Sequence, residues 1–387
     1  MSWALIPLTE EQRAIQQTAR DFAAAEIAPH SDRWDRESIF DRRIVDKLGA
    51  LGFLGMLIPE AYDGLGLDTC TYLVALEEIA AVDASVAVLM SVHNSLPTQM
   101  LLRYGSEEQK QRFLRPMARG EFLGAFALSE PDAGSDAASL RTQAVRDGDH
   151  YVLTGVKAWV TSGAHADVIL AMARTDAPND RKGARGISTF IVTPDLPGFS
   201  VGKKEDKMGL RGSETNQLVF DELRVPAANL LGQEGMGFVY AMQSLDNGRL
   251  GIAAQSIGIA RAALEHAVRY AAERKQFGKP IKEFQAVQFK LADMATRVAA
   301  SRALLYAAAS AKDRGQPITQ FGSMSKLMAS ETAMWVTTEA IQIFGGYGYV
   351  KEYPVERLFR DAKVTEIYEG TSEIQRIVIA RELYAKS

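Results

Sequence analysis

The chain has 387 residues, 47% of them hydrophobic and 24% charged, a composition that excludes a disordered chain and gives length for about two or three domains. A net charge of −4 and a pI near 5.9 argue against a broad basic surface for nucleic acid. The single cysteine, Cys70, excludes an intrachain disulfide and fits a reducing compartment, and five scattered histidines (His30, His93, His150, His165, His266) offer no close-spaced zinc set.

The first residues, Met1 to Leu8, lack both a basic region and a long apolar core. No signal or transit segment is expected, and the chain is expected to be cytoplasmic, or in the mitochondrial matrix if a transit peptide has been removed. Thr9 and Gln12 form a capping box, and Ile15, Ala19, Phe22, Ala23 and Ile27 keep one helical face before Pro29. Further helical runs are expected near 41–50, 69–82, 84–104 and 106–118, with a loop at Pro59 and Asp63 to Gly66. This predicts an N-terminal helical domain over 1–121.

At Phe122 the period changes. Phe122 to Leu128 is an apolar run of strand length, Asp147-Gly148 joins two runs as a hairpin, and Val168–Ala171, Ile187–Val192 and Gln217–Val225 continue the series. A small antiparallel sheet domain is expected over 122–230. From 238 to 273 there is no proline, and helices near 284–313, 319–344 and 372–385 follow, so residues 231–387 are expected to form an antiparallel four-helix bundle. No apolar run is long enough to cross a membrane.

Candidate chemistry centres on Tyr368 to Arg376. Ser372 with Gln375 reads as a capping box that starts the last helix and leaves Glu369 just outside it. Gly370 allows a tight turn, and Ile367 and Tyr368 offer an apolar surround that would raise the carboxyl toward the range of a general base. Glu369 is either that base or an ordinary glutamate favoured by the helix dipole. Gly198-Phe-Ser200-Val-Gly202 matches a hydrolase nucleophile pattern, but the charged run Lys203 to Lys207 follows it instead of a helix. No stretch fits a dinucleotide or phosphate-binding glycine motif. Leu128 to Asp136 could present N–H groups and hydroxyls to a polar ligand or be a plain turn. Trp159 and Thr161 are a core tryptophan beside a surface threonine, or a paired site. Asp246 and Arg249 share one helix face. Gly345 to Gly348 can end a helix, and Arg274 to Gly278 can be a loop of the same kind.

In this order, Leu128 to Asp136, Trp159 to Thr161, Leu245 to Arg249, Arg274 to Gly278, Gln342 to Gly346, Glu352 to Arg357 and Ile367 to Glu373 resemble the acyl-CoA dehydrogenase family, over nearly the whole chain. The resemblance implies a mainly α fold with a central β domain and a C-terminal four-helix bundle. It implies FAD bound by Phe126, Ala127, Leu128, Ser129, Gly134 and Ser135, by Trp159, Val160 and Thr161, and by Thr371, Ser372 and Glu373. Arg274, Phe277, Gln285, Gln342, Ile343, Phe344, Gly345 and Gly346 would reach FAD of a neighbouring subunit, implying a homo-oligomer, a dimer at least and a tetramer in most relatives. Ser135, Asp246, Asn247, Gly248, Arg249 and Gly370 would touch the acyl-CoA.

By the same resemblance Glu369 is the catalytic base, taking the α-proton while the β-hydride passes to flavin, and electron-transfer flavoprotein accepts the electrons. One branch of the family carries its base just before the arginine matching Arg249; here that position is Gly248, which favours Glu369. The acyl group is expected to be short or branched short, with the cavity floor near 91–100. An acyl-CoA oxidase and a non-catalytic acyl-CoA-binding protein on the same fold are the alternatives.

Overall fold

Thr9 begins the first helix as its spacing predicts: its hydroxyl accepts from the Gln12 N–H while Gln12 Oε1 accepts from the Thr9 N–H. The structure, a computed structural model, describes residues 7–177, 179–180 and 182–385. The first six residues, where no targeting segment is expected, lie outside them. Helix α1 (Glu10–Phe22) does not stop before Pro29. A wide π-turn over Ala23–Ile27 lets the chain continue into α2 (Ala28–Glu37), whose first turn tolerates the proline's missing N–H.

Helices α3 (Arg42–Ala50), α4 (Thr69–Val82), α5 (Ala84–Ser95), α6 (Pro97–Tyr104), α7 (Glu107–Gln109) and α8 (Arg115–Ala118) complete the N-terminal part. The run expected over 84–104 breaks at Leu96, because Pro97 bars helical geometry from the residue before it. Every residue of α5 is buried. Polar side chains on it find partners inside the protein: Asn94 donates to the Phe53 and Met90 carbonyls and Ser95 to the Ser91 carbonyl.

The middle part is one sheet of eight strands: β1 (Gly124–Ala127), β2 (Gln143–Asp147), β3 (His150–Thr161), β4 (Val168–Arg174), β5 (Ile187–Val192), β6 (Phe199–Lys204), β7 (Thr215–Pro226) and β8 (Leu230–Leu231). The expected hairpin at Asp147-Gly148 is present, with Asp147 opposite His150. The expectation of an antiparallel sheet is corrected, because β1 and β2 both pair with β4 in parallel. Strands β4 and β5 are covered on both faces and so read as unbroken apolar runs. Strand β6 was not expected from the sequence. It contains Ser200 and runs antiparallel to β7, so Ser200 is not on a strand-to-helix turn and the hydrolase pattern carries no nucleophile.

A two-residue pair, β9 (Lys275–Gln276) with β10 (Lys279–Pro280), follows the long helix α9 (Gly237–Glu273). Then come α10 (Gln285–Asp313), α11 (Thr319–Phe344), α12 (Val355–Val364) and α13 (Ser372–Tyr384). Lys290 pairs with Glu339 and Ser301 with Thr332, so α10 runs antiparallel to α11. The fully antiparallel bundle is corrected, however. Lys326 faces Gly370 and Glu331 faces Arg376, which sets α13 in the same direction as α11; the intervening α12, not expected from the sequence, returns the chain. Among the described residues no helix is long and apolar enough to cross a membrane.

Buried polar contacts tie the parts together. His93 on α5 accepts the Gly124 N–H at Nδ1 (3.0 Å) and so donates from Nε2 to the Met117 carbonyl (3.1 Å), and burial pushes its pKa down to about 4. Asp361 on α12 accepts the Leu210 N–H at 2.6 Å, clamping a sheet loop to the bundle. Glu77 on α4 pairs with Arg261 of α9 (3.2 Å) and Arg302 of α10 (2.8 Å), all three side chains being almost wholly buried. Such a lattice fixes orientation, but removing one member strands the others in a medium that cannot solvate them. Glu77→Ala is therefore expected to cost about 3–5 kcal/mol, read as a large fall in the denaturation midpoint.

Candidate active site

The turn before α13 is built by strain and by two buried donors. Glu369 sits in the left-handed region at φ 53° and Gly370 at φ 93°. For a residue with a side chain that conformation costs roughly 1–2 kcal/mol, so something must hold it. The Gln375 amide donates to the carbonyls of Glu369 (3.1 Å) and Gly370 (2.9 Å), and the Lys326 ammonium donates to the Gly370 carbonyl at 2.8 Å. The expected capping box at Ser372 is corrected here. Thr371 is the cap, its hydroxyl accepting the Ile374 N–H, and Gln375 is occupied with the turn. Ile367 is about half exposed and gives little cover, whereas the Tyr368 hydroxyl donates to Gln255 on α9.

This turn aims the Glu369 side chain inward. Both carboxylate oxygens are shut off from solvent and neither has a hydrogen-bond partner, although the residue as a whole is only partly buried. Burial pushes the carboxyl up to about 7, against the opposing pull of Lys326 and Arg249. The carboxylate lies directly on α9: a Cβ added at Gly248 would be 2.0 Å from Oε2. The missing side chain at Gly248 therefore leaves the space that the carboxylate fills. Arg249 beside it is held by Asp246 (2.6 Å) and Ser323 (3.2 Å), and Thr319 fixes the far oxygen of Asp246 at 2.7 Å. The ion pair expected from the sequence is therefore a buried brace and not a surface decoration. Asn247 Nδ2, Ser244 Oγ and Ser372 Oγ are also buried without a hydrogen-bond partner.

A second group assembles on the sheet. The loop after β1 is pinned by Glu130, which accepts from the Arg141 N–H (2.6 Å), the Thr142 N–H (2.9 Å) and the fully buried Lys157 ammonium (2.8 Å). The Ala158 N–H donates to Ser129 at 2.9 Å, joining Phe126 to Ser135 with the end of β3. There the register slips between Lys157 and Val160, and Trp159 takes φ 61°. Its side chain is 61% exposed, so the core-tryptophan alternative is corrected: the bulge turns the ring out while Ala158 and Val160 stay in. Thr161 is half-buried, and Gly134 and Ser135 are exposed.

The third group stands apart. Arg274, Ile343, Phe344, Gly345 and Gly346 line a hollow of about 570 Å³ with Tyr270 and Tyr347. Phe277 is 94% exposed, and Gln285 and Gln342 are exposed as well. Phe344 is eighteen residues beyond Lys326 on α11, about 27 Å along the helix at 1.5 Å per residue. The structure does not bring this group to Glu369 within one chain. Lys326, Lys157 and the turn-holding role of Gln375 were missed from the sequence. Lys326 had a legible signal: it falls on the stripe Gly322, Ser323, Ala329, Ser330, Ala333, the buried face of α11.

Comparison with known proteins accords with this arrangement. Family models match in chain order: acyl-CoA dehydrogenase N-terminal domain at residues 9–121, middle domain at 125–223 and C-terminal domain at 235–384. An acyl-CoA dehydrogenase of Bacillus subtilis is 50% identical over 376 residues, covering 97% of this chain and 98% of that protein. The structure of butyryl-CoA dehydrogenase from Megasphaera elsdenii superposes with a TM-score of 0.95 at 46% identity, covering 98% of this chain and 99% of that one. A chain in a structure of the electron transferring flavoprotein of Acidaminococcus fermentans, described as working towards a mechanism of flavin-based electron bifurcation, gives a TM-score of 0.95 at 48% identity, with 97% and 98% coverage. The chain belongs to the acyl-CoA dehydrogenase family, oxidoreductases that act on the CH–CH group of acyl-CoA.

Proposed function

We propose that the protein is an FAD-dependent dehydrogenase of short- or branched short-chain acyl-CoA, forming the trans-2-enoyl-CoA, with Glu369 as the base. The observation that carries this reading is the carboxylate of Glu369, sealed, unpaired and raised to about 7. An α-proton of a saturated thioester is weakly acidic. Its removal needs a carboxylate whose proton affinity approaches the working pH and a donor for charge growing on the thioester oxygen. Glu369 provides the first. Among the described residues its backbone N–H has no bonded acceptor, so it is available as the second.

The residues that the resemblance assigns to FAD suit a flat ligand with phosphates. Trp159 offers an exposed ring, Thr161 a hydroxyl beside it, and the pinned loop ending at Ser135 offers exposed backbone and side-chain donors. FAD bound there supplies the two-electron acceptor that no side chain provides. The distance of Arg274 and Ile343 to Gly346 from Glu369 supports their serving a neighbouring subunit, hence a homo-oligomer. Likeness to the Acidaminococcus fermentans chain supports electron-transfer flavoprotein as the acceptor.

The acyl length is supported by packing below the base. One turn along α9, a Cβ added at Gly251 would be 2.3 Å from Ser91 Oγ on α5. Helices α5 and α9 therefore close together three residues beyond Gly248, about 4.5 Å along the helix, which supports a short acyl group.

Anaerobic titration of the purified yellow protein with a series of acyl-CoAs tests the reading: four- and five-carbon thioesters should bleach the flavin fastest. Glu369→Gln is expected to keep FAD and lose bleaching by about 10²–10⁴-fold, the usual contribution of a general base. Because the base works ionised and its pKa is raised, the bleaching rate should climb about tenfold per pH unit below about 7 and level off above it. Gly248→Ala should displace the carboxylate and slow bleaching by about 10²-fold with FAD retained, as misplacement by an ångström does elsewhere. Normal bleaching by Glu369→Gln would refute the assignment of the base.

A further inference from the structure

Lys326 is fully buried, with 0% of the residue exposed, on the face of α11 that looks at the turn carrying Glu369. A buried ammonium is expensive, and lysine is rarely placed so without an ion pair. Here, among the described residues, no carboxylate lies within ion-pair distance, and the one hydrogen-bond acceptor is the Gly370 carbonyl at 2.8 Å. The cost is therefore met at the turn and nowhere else. We propose that Lys326 is a positioning residue for the base: its ammonium locks the left-handed Glu369-Gly370 turn and its charge offsets the burial of the carboxylate.

Two features give the lysine this role rather than that of a core filler. The Gly370 carbonyl takes donors from both Lys326 and Gln375, so the carbonyl side of the turn is saturated and its peptide planes cannot rotate. An apolar side chain of the same size would pack but would leave Gln375 alone against the strain at Glu369. The charges around the pair also identify the ammonium as the nearer offset. Arg249 of α9 faces the carboxylate but is neutralised by Asp246 at 2.6 Å. Glu366 before the turn and Glu373 at the start of α13 act on Lys326 more weakly than Glu369 does. Tyr72 of α4 and Tyr368 face the carboxylate and bear no charge at neutral pH. Burial brings Lys326 down to about 8 and Glu369 up to about 7, and in each case the charge of the other opposes the shift. Taking the positive charge away removes an interaction that favours the ionised carboxylate, so the carboxyl must move up and the base must need a higher pH.

This inference rests on Glu369 being the base, and its test separates the two. The carboxylic-acid C=O stretch of Glu369, defined as the infrared difference band absent from Glu369→Gln, is followed against pH in wild type, Lys326→Gln, Lys326→Met and Lys326→Arg. Anaerobic bleaching is followed over the same range. Lys326→Gln keeps a donor for the Gly370 carbonyl and loses the charge, and it carries the test if Lys326→Met does not fold. In both neutral variants the midpoint should rise by about one unit or more, roughly a fivefold loss of ionised base at pH 7 and about tenfold well below it. The bleaching profile should shift by the same amount, and Lys326→Arg should stay near wild type. A midpoint unchanged in Lys326→Gln, or a rate lowered equally at every pH, would overturn the role of Lys326. If Glu369→Gln itself bleaches normally, the base assignment falls instead.

Discussion

The structure turns on one act of desolvation. A carboxylate in water is a poor base for a thioester α-proton because hydration lowers its proton affinity; Glu369 is taken out of water entirely and left without a hydrogen-bond partner. Everything around it serves to make that tolerable. The helix beneath it carries glycine at 248, where any side chain would collide with the carboxylate. The turn above it is forced into the left-handed region and held there by Gln375 and Lys326. Two cations face the carboxylate without quenching it, one braced by Asp246 and one spent on a carbonyl.

The frame for this site is a set of helices whose own polar contacts are buried. Glu77, Arg261 and Arg302 fix α4, α9 and α10 in relation to each other, and His93 fixes α5 to the first strand of the sheet. A misplacement of α9 relative to α5 would change the close approach of Gly251 to Ser91. Buried ion pairs contribute orientation more than stability. That is what a site relying on a sealed, unpaired carboxylate requires.

Much of the fold was legible in the sequence because its signals are local. Thr9 with Gln12 marks a helix start, Asp147-Gly148 a hairpin, and the change of period at Phe122 a sheet. What was not legible depends on partners distant in the chain. Nothing in Gly124 to Ala127 says that it pairs in parallel with Val168 to Ala171, and the turn-over of Pro29 depends on a π-turn that propensity does not foresee. Glu369 could be singled out, but nine residues could not distinguish a base from a helix-end glutamate. The residues packed about its carboxylate, Gly248 and Lys326, lie 121 and 43 positions away in the sequence. Ser372 with Gln375 had the spacing of a cap, yet Thr371 won that place because Gln375 is drawn to the strained carbonyls.

The most direct measurement of the central claim isolates proton removal from the redox step. The purified protein is incubated in D2O with an acyl-CoA whose β-carbon bears no hydrogen, and deuterium entering the α-position is followed by NMR. Wild type should exchange the α-hydrogens and Glu369→Gln should not. Exchange persisting in Glu369→Gln at the wild-type rate would contradict the account, because some other group would then be taking the proton.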